Sequence, residues 1–266
     1  MTAPVPVDFL HRELPAVGKR VHRLGLALNF GLDPAGLEAA LERGLGYLFY
    51  WQLRSRGLEP VLRRALARDR EKVVVVTSTA IGFFGSTVRS HCERMLRRLG
   101  TDYLDVYQLG WLGTASAWTP ATVDALLQLK HEGKVRALGV SIHDRARAGR
   151  LAEDSPLDLL MLRYNAAHPG AERDVFPHLA RRKPAVVAYT ATAWRKLLKA
   201  PRGWSGPTMT AGDCYRFCLS SPSVDVVLQG PASLAQLEEN LAAVARGPLS
   251  EAELGWMRDY GRLVHG

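Results

Sequence analysis

Eight short apolar runs, each followed by a stretch with helical signals, recur along the 266 residues. This alternation restricts the fold more than any other feature of the chain. The runs are Val21–Leu28, Tyr47–Trp51, Val73–Thr77, Tyr103–Leu109, Val135–Ser141, Leu157–Asn165, Ala185–Thr190 and Val224–Gly230. VVVVT at 73–77, β-branched throughout and bounded by Lys72 and Ser78, is the pattern of a strand buried on both faces. Between the runs, Asp33-Pro34 supplies an N-cap and a proline at the first helical position, opening a helix to Arg43. Further helices are predicted over Gly57–Arg68, from Ser86 as cap to Leu99, over Pro120–Glu132, after Asp144, and over Ala171–Arg181, Thr210–Ser220 and Leu234–Ala245. A last helix starts at Ser250 in a capping-box pattern, SEAE.

Strands that alternate with helices imply a parallel sheet, and eight such units predict a closed (β/α)8 TIM barrel in one domain spanning 1–266, with an extra C-terminal helix. A doubly wound open sheet would want a G-x-G-x-x-G turn after an early strand, and the sequence has none. A hydrophobic content of 47% suits a single large core.

Composition narrows the function classes. No segment approaches 18 uninterrupted apolar residues, so a membrane span is not expected. The opening MTAPVPVDFLHREL lacks a basic stretch followed by an apolar run, so no secretory leader is expected. Cys92, Cys214 and Cys218 have spacings of neither a disulfide framework nor a zinc site, and a cytoplasmic protein with reduced thiols is expected. The formal charge is +9, but the arginines of RRALARDREK and MLRRLG are dispersed as polar helix faces. They form no basic tract and no nucleic-acid-binding signature, so nucleic acid is not an expected partner.

Function in such a barrel belongs at the C-terminal ends of the strands. Those ends carry no carboxylate pair for glycosidase chemistry and no His/Asp/Glu cluster at metal spacing, so no metal is expected. Ser78 and Ser141 would need an adjacent base to act as nucleophiles, and His143 and His168 are the histidines near strand ends. After the last strand, GPASLAQLEEN (230–240) places a turn and a helix N-terminus where barrels bind phosphate. There Gln236, Glu239 and Asn240 share one helix face, either to bond a purine or ribose or as a plain polar surface. The second strand and its loop, GLGYLFYWQLRSRGLEP (44–60), hold aromatics and arginines but no Asp, His, Lys or Cys.

LGTDYLDVYQLGW, LLQLKHEGKVRALGVSIHD, RYN, VVAYT and VLQGPASLAQLEENLAAV resemble successive blocks of the aldo-keto reductases, NADP-dependent (β/α)8 oxidoreductases, in family order. LPAVGKRVHRLGLALNFG resembles their short N-terminal capping hairpin and first strand. The resemblance implies a nicotinamide cofactor, NADP(H), and a small-molecule substrate. It also implies a proton-donating tetrad, and carried over position by position that tetrad is replaced: the Asp by Phe49, the Tyr by Arg54, the Lys by Ser78 and the His by Gly110. Of the nicotinamide-amide contacts only Ser141 survives, the neighbouring positions being Ile142 and Met161, while Tyr189 matches the ring-stacking tyrosine. Gly230, Ser233, Gln236, Glu239 and Asn240 match the adenosine-phosphate end.

Three functions are compatible with this set. One is an oxidoreductase with a non-standard proton donor, Tyr50, Arg54 or His143. A second is a catalytically inactive dinucleotide-binding sensor or partner protein. A third is a barrel repurposed for non-redox chemistry in an aromatic pocket of Phe49, Tyr50, Trp51 and Trp111.

Overall fold

In the computed structural model, which describes residues 8–55 and 57–265, an antiparallel hairpin leads into a closed barrel of eight parallel strands. The N-terminal MTAPVPV, part of the opening in which no leader is expected, lies outside the described residues. The hairpin pairs β1 (His11–Leu14) with β2 (Lys19–His22). The barrel runs through β3 (Leu24–Ala27), β4 (Tyr47–Tyr50), β5 (Val74–Ser78), β6 (Leu104–Leu112), β7 (Val135–Ile142), β8 (Leu159–Arg163), β9 (Ala185–Tyr189) and β10 (Val226–Gln229). β10 then pairs with β3 to close the ring. Each barrel strand overlaps one of the eight apolar runs, and the structure is the α/β (β/α)8 TIM barrel that the alternation predicts.

The helices are α1 (Pro34–Glu42), α2 (Glu59–Arg68), α3 (Gly85–Leu99), α4 (Pro120–His131), α5 (Arg145–Glu153), α6 (Ala171–Asp174), α7 (Ala211–Ser220), α8 (Leu234–Ala245) and α9 (Glu251–His265). Asp33 caps α1 by accepting the Gly36 N–H at 2.7 Å, and Thr210 and Asp213 cap α7 reciprocally. Three local expectations are corrected. The run at 21–28 breaks at Arg23, whose buried guanidinium donates to the carbonyls of Leu219, Val224 and Asp225 as the chain passes from hairpin to barrel. Ser86 is not a cap, because α3 starts one residue earlier, with Phe84 in the cap position. The helix expected over 171–181 is a single turn that ends at Val175, followed by a 3-10 turn at Phe176–Leu179, where Pro177 has no N–H to continue an α-helical ladder.

Two apolar layers explain why strands such as VVVVT carry no polar alternation. Val74, Val76, Val106, Leu159 and Val187 fill the barrel interior. Val75, Tyr107, Leu138, Leu160 and Val186 pack outward beneath helix residues such as Leu37, Leu62 and Leu126. Burying each such side chain contributes about 1.5–3 kcal/mol. Leu14, Val17 and Val21 join the interior cluster, so the hairpin plugs the N-terminal end. Lys19 pins it there: its Nζ donates to Asp105 Oδ1 at 2.8 Å and to the Val73 carbonyl at 2.9 Å, while Asp105 Oδ2 accepts the Val75 N–H. The opposite end is left open for the strand-to-helix loops.

Candidate active site at the barrel mouth

Two-residue alternation decides which strand-end side chains reach the mouth. Phe49, Met161 and Tyr189 pack on the interior cluster, and Ser78 and Gln108 lie two residues beyond the inward Val76 and Val106. Tyr50, one residue after Phe49, therefore points the other way. It is fully buried between strands and helices, where its hydroxyl donates to Glu59 Oε1 at 2.7 Å. Burial, and then the Glu59 carboxylate, pushes its pKa well above the ordinary phenol value. Tyr50 is thus removed as a substitute proton donor. Arg54 is exposed on the turn after β4, where its N–H donates to the Trp51 carbonyl at 3.2 Å.

The remaining two tetrad positions differ: at one a small side chain is bonded within the site, and the other is closed by backbone. Ser78 is buried and its Oγ accepts from Gln108 Nε2 at 2.7 Å. A Cβ at Gly110 would lie 2.6 Å from the Thr79 carbonyl oxygen, so a histidine there would force the backbone to move. Next to it Trp111 adopts a left-handed φ of 44° as β6 bulges out of register with β7.

What the mouth does hold is a hydrogen-bonded pair. The Tyr189 hydroxyl lies 3.0 Å from His143 Nε2, joining the ends of β9 and β7. Burial pushes the Tyr189 pKa up to about 12, opposed by the Ser141 hydroxyl and by the charge of Arg163. Burial first, and then Arg163, holds His143 below its ordinary value, so its ring is mostly neutral at pH 7. His168, the other strand-end histidine, is tied instead to Asn165 Oδ1 at 3.1 Å and stacks edge-on to His265. Burial and Arg163 bring its pKa down to about 4.

A nicotinamide dinucleotide, as the family resemblance implies, must satisfy and be satisfied by these groups. Ile142 is turned into the outer apolar layer and can hold no amide, but Ser141 faces inward. Three of the eight buried side-chain polar atoms without a partner stand at the mouth: Asn29 Oδ1 after β3, Thr79 Oγ1 after β5 and Gln108 Oε1 on β6. Such orphans are rare in folded proteins and suit the amide and hydroxyls of an incoming ligand. At the other end Ser233 caps α8 by accepting the Gln236 N–H, and the first-turn N–H groups of a helix lack intrahelical acceptors. Gln236 Oε1 accepts the Ala232 N–H at 2.9 Å and Glu239 is exposed. Asn240 is buried, its Nδ2 donating to Gln229 Oε1 at 2.9 Å, so it also ties α8 to β10. Gly230 has Phe30 against it, a Cβ there falling 2.5 Å from the ring. The residues present fit the group, with one qualification of charge: α8 carries Glu238 and Glu239 but no Lys or Arg to meet a 2′-phosphate.

Among the described residues no group of three or more His, Cys, Asp or Glu could hold a metal ion, and no helix is long and apolar enough to cross a membrane. Gln108 and Arg163 have parts in the mouth that motif comparison does not single out. The two-residue period running from Val106 and Met161 is the signal that turns both inward.

Comparison with known proteins agrees with the fold. Residues 48–201 match the Aldo/keto reductase family. The chain is 33% identical over 186 residues to the methylglyoxal reductase YeaE of Escherichia coli, covering 68% of this chain and 65% of that protein. It is 31% identical over 93 residues to an NADH-specific methylglyoxal reductase of the same organism, of which the match spans only 28%. Its fold superposes on aldo-keto reductase AKR11C1 from Bacillus halodurans in holo form, with TM-score 0.78, 24% identity and coverage of 94% and 95% of the two chains. The glycerol dehydrogenase AKR11B4 of Gluconobacter oxydans gives TM-score 0.78 at 19% identity, covering 98% of each chain. With the barrel, its hairpin cap and this match over more than half of its length, the chain belongs to the aldo/keto reductase family.

Proposed function

We propose that this chain is an oxidoreductase that binds a nicotinamide dinucleotide across the barrel mouth and reduces a carbonyl-type small molecule without the family's tetrad. The observation that carries this is the Tyr189–His143 pair, 3.0 Å apart at the strand ends, with Arg163 as the neighbouring fixed charge. Ser141 and the unpartnered oxygens of Asn29 and Gln108 would hold the carboxamide and hydroxyls, and the first turn of α8 the phosphates. When bound, the dinucleotide supplies the hydride. Arg163 stabilises the oxyanion that develops, and protonated His143 delivers a proton to it.

The absence of a cation on α8 favours NAD(H) over the NADP(H) that the family resemblance implies, in keeping with the name of the NADH-specific relative. Fluorescence titration with NADH and NADPH, followed by turnover with methylglyoxal and other carbonyl compounds, tests the reading. Failure of both dinucleotides to bind at micromolar concentration would sink it.

A second reading, a dinucleotide sensor without turnover, is favoured by one specific feature. The histidine position is closed off at Gly110 by the Thr79 carbonyl, so the family's substrate-orienting group has no room. Dinucleotide binding with no turnover of any carbonyl, unchanged in His143→Gln, is the result that would select it.

A further inference from the structure

We propose that the barrel-mouth face is a peripheral docking surface for anionic phospholipid membranes, its apolar loop tips entering the headgroup layer and its cations meeting the lipid phosphates. Three observations carry this: where the exposed apolar side chains stand, how two of them are held, and which charges stand among them. None of the three depends on the chemistry inside the barrel.

Ten large apolar side chains are exposed among the described residues. Eight of them stand between the C-terminal end of a barrel strand and the first residue of the next helix, which is the mouth face. Leu263 of α9 joins them, sharing a shallow cleft with Lys196, Lys199 and Arg202 of the connection after β9. Only Leu127, on the flank of α4, stands apart. The eight are spread over six of the eight strand-to-helix connections, from Phe30 after β3 to Leu234 after β10. One small molecule in the barrel cannot cover so wide a ring. Phe84, 69% exposed at the N-cap of α3, belongs to the outer helix layer and not to the lumen. A protein partner would gather such side chains into one dry core, whereas a fluid lipid surface takes them singly.

Trp111 and Trp194 are held outward by backbone that is itself fixed. Both are more than half exposed, yet both are left-handed, with φ of 44° and 56°, a region that bulky L-residues avoid. The Trp111 carbonyl accepts from Thr114 and Ala115 at 2.9 Å, and Ser116 Oγ donates to the Gly110 carbonyl across the same turn. Trp194 follows the buried Ala193, whose N–H donates to the Thr190 carbonyl at 2.8 Å. Strain that the surroundings over-determine in this way clusters at binding surfaces.

The charges complement an anionic surface. Between strand and helix the described residues include five lysines or arginines, Arg54, Arg195, Lys196, Lys199 and Arg202, all exposed. The two acids there, Asp33 and Asp144, are engaged in capping α1 and α5. Four of the five cations lie after β9, where no Asp or Glu occurs from Thr190 to Gly212. Lys and Arg beside Trp, Phe and Leu is the composition of a surface that lies on a membrane. No helix among the described residues is long and apolar enough to cross one, so the contact is peripheral.

The test is co-sedimentation of the full-length protein with vesicles of phosphatidylcholine alone and of equal parts phosphatidylcholine and phosphatidylglycerol. Binding is expected on the mixed vesicles only, and should weaken between about 0.1 and 1 M salt as the Debye length falls from about 10 to 3 Å. Phe84→Ser, which puts a favoured capping residue at the start of α3, should weaken it about ten-fold. Lys196→Gln combined with Lys199→Gln should cost more than about ten-fold, at roughly five-fold per cation. Leu127→Gln, on the flank, should leave binding unchanged. Binding to neither vesicle, or equally to both, overturns the proposal, as does unchanged binding in the Phe84 and lysine variants or an equal loss in Leu127→Gln. Self-association that Phe84→Ser abolishes, without vesicle binding, would give the face to a second copy of the chain. Capture by a single-stranded oligonucleotide but by no vesicle would give it to nucleic acid, and either result excludes lipid as the partner.

Discussion

The Tyr189 hydroxyl and His143 Nε2, 3.0 Å apart, join the ends of two barrel strands that lie on either side of β8. Arg163 at the end of that middle strand lowers the pKa of both groups, while burial raises the phenol and depresses the imidazole. A His143 held below its ordinary pKa, first by burial and then by Arg163, loses its proton as pH rises from acid toward neutrality. With an aliphatic aldehyde as substrate, kcat/KM should fall over that range. His143→Gln should lose about 10²-fold at low pH and flatten the profile. The measurement is a pH–rate series on both proteins; superimposable profiles would exclude His143 as the proton source.

Acid should destabilise the fold at two histidines remote from the mouth. His22 Nδ1 accepts the Leu24 N–H at 3.0 Å, and His91 Nδ1 lies 3.0 Å from the Tyr107 hydroxyl. Burial brings both pKa values down to about 4. The unfolded chain, with ordinary histidines near 6.5, binds the extra protons first, so stability is intact above about pH 6.5 and falls as pH drops toward 4. Each site contributes up to roughly 3 kcal/mol of that loss. Urea midpoints measured at pH 7 and pH 4.5 should differ clearly, and the difference should shrink in His91→Gln. A midpoint unmoved between the two pH values would contradict the buried, neutral state of these rings.

The dinucleotide should discriminate by charge at the first turns of α8. Leu234 to Ala245 contain two acids and no base, and Arg43, the C-cap of α1, is already paired to Glu238 at 2.5 Å. A 2′-phosphate would bring about two more negative charges to a corner with no cation on the helix. NADH should therefore bind at least as tightly as NADPH, and Gln236→Arg should improve NADPH binding about ten-fold with little effect on NADH. Fluorescence titration of both proteins with both cofactors measures this; an NADPH preference above ten-fold in the unaltered protein would mean that a cation from another loop serves the corner.

Strand positions and the barrel were legible because burial on both faces of β5 leaves an unbroken β-branched run, and because Asp33, Thr119 and Thr210 cap their helices through their own side chains. What the sequence did not disclose was set by tertiary partners. Arg23 breaks its run because carbonyls more than 190 residues away in sequence receive its guanidinium. The site was half legible for the same reason. Tyr50 and Phe49 are neighbours of similar character, and a pattern of consecutive aromatics does not say which of them faces the mouth; Glu59, nine residues on, captures Tyr50 on the outer side. Nor does any local signal foretell that Tyr189 meets His143, 46 positions away in the chain. The replaced tetrad was readable directly, but the closing of the Gly110 position by the Thr79 carbonyl is a property of the β6 bulge alone.

Trp111 and Trp194 make the sharpest stability test, because burial and backbone strain should separate there. Each indole is largely exposed, so its removal forfeits little burial, and each backbone sits at positive φ, where a residue with a Cβ is strained by about 1–2 kcal/mol. Glycine relieves that strain but brings a more flexible unfolded chain, a cost of about 0.5–1 kcal/mol. The net change in Trp111→Gly and in Trp194→Gly should therefore be neutral to about 1 kcal/mol stabilising, against the general rule that replacing a large aromatic destabilises. Trp111→Val, which keeps the Cβ and adds a branch, should instead lose stability, because branched side chains tolerate left-handed backbone worst. Thermal melts of the three variants decide it. A valine variant as stable as the glycine one would mean that the left-handed conformation at 111 is not imposed by the Gly110–Ser116 turn.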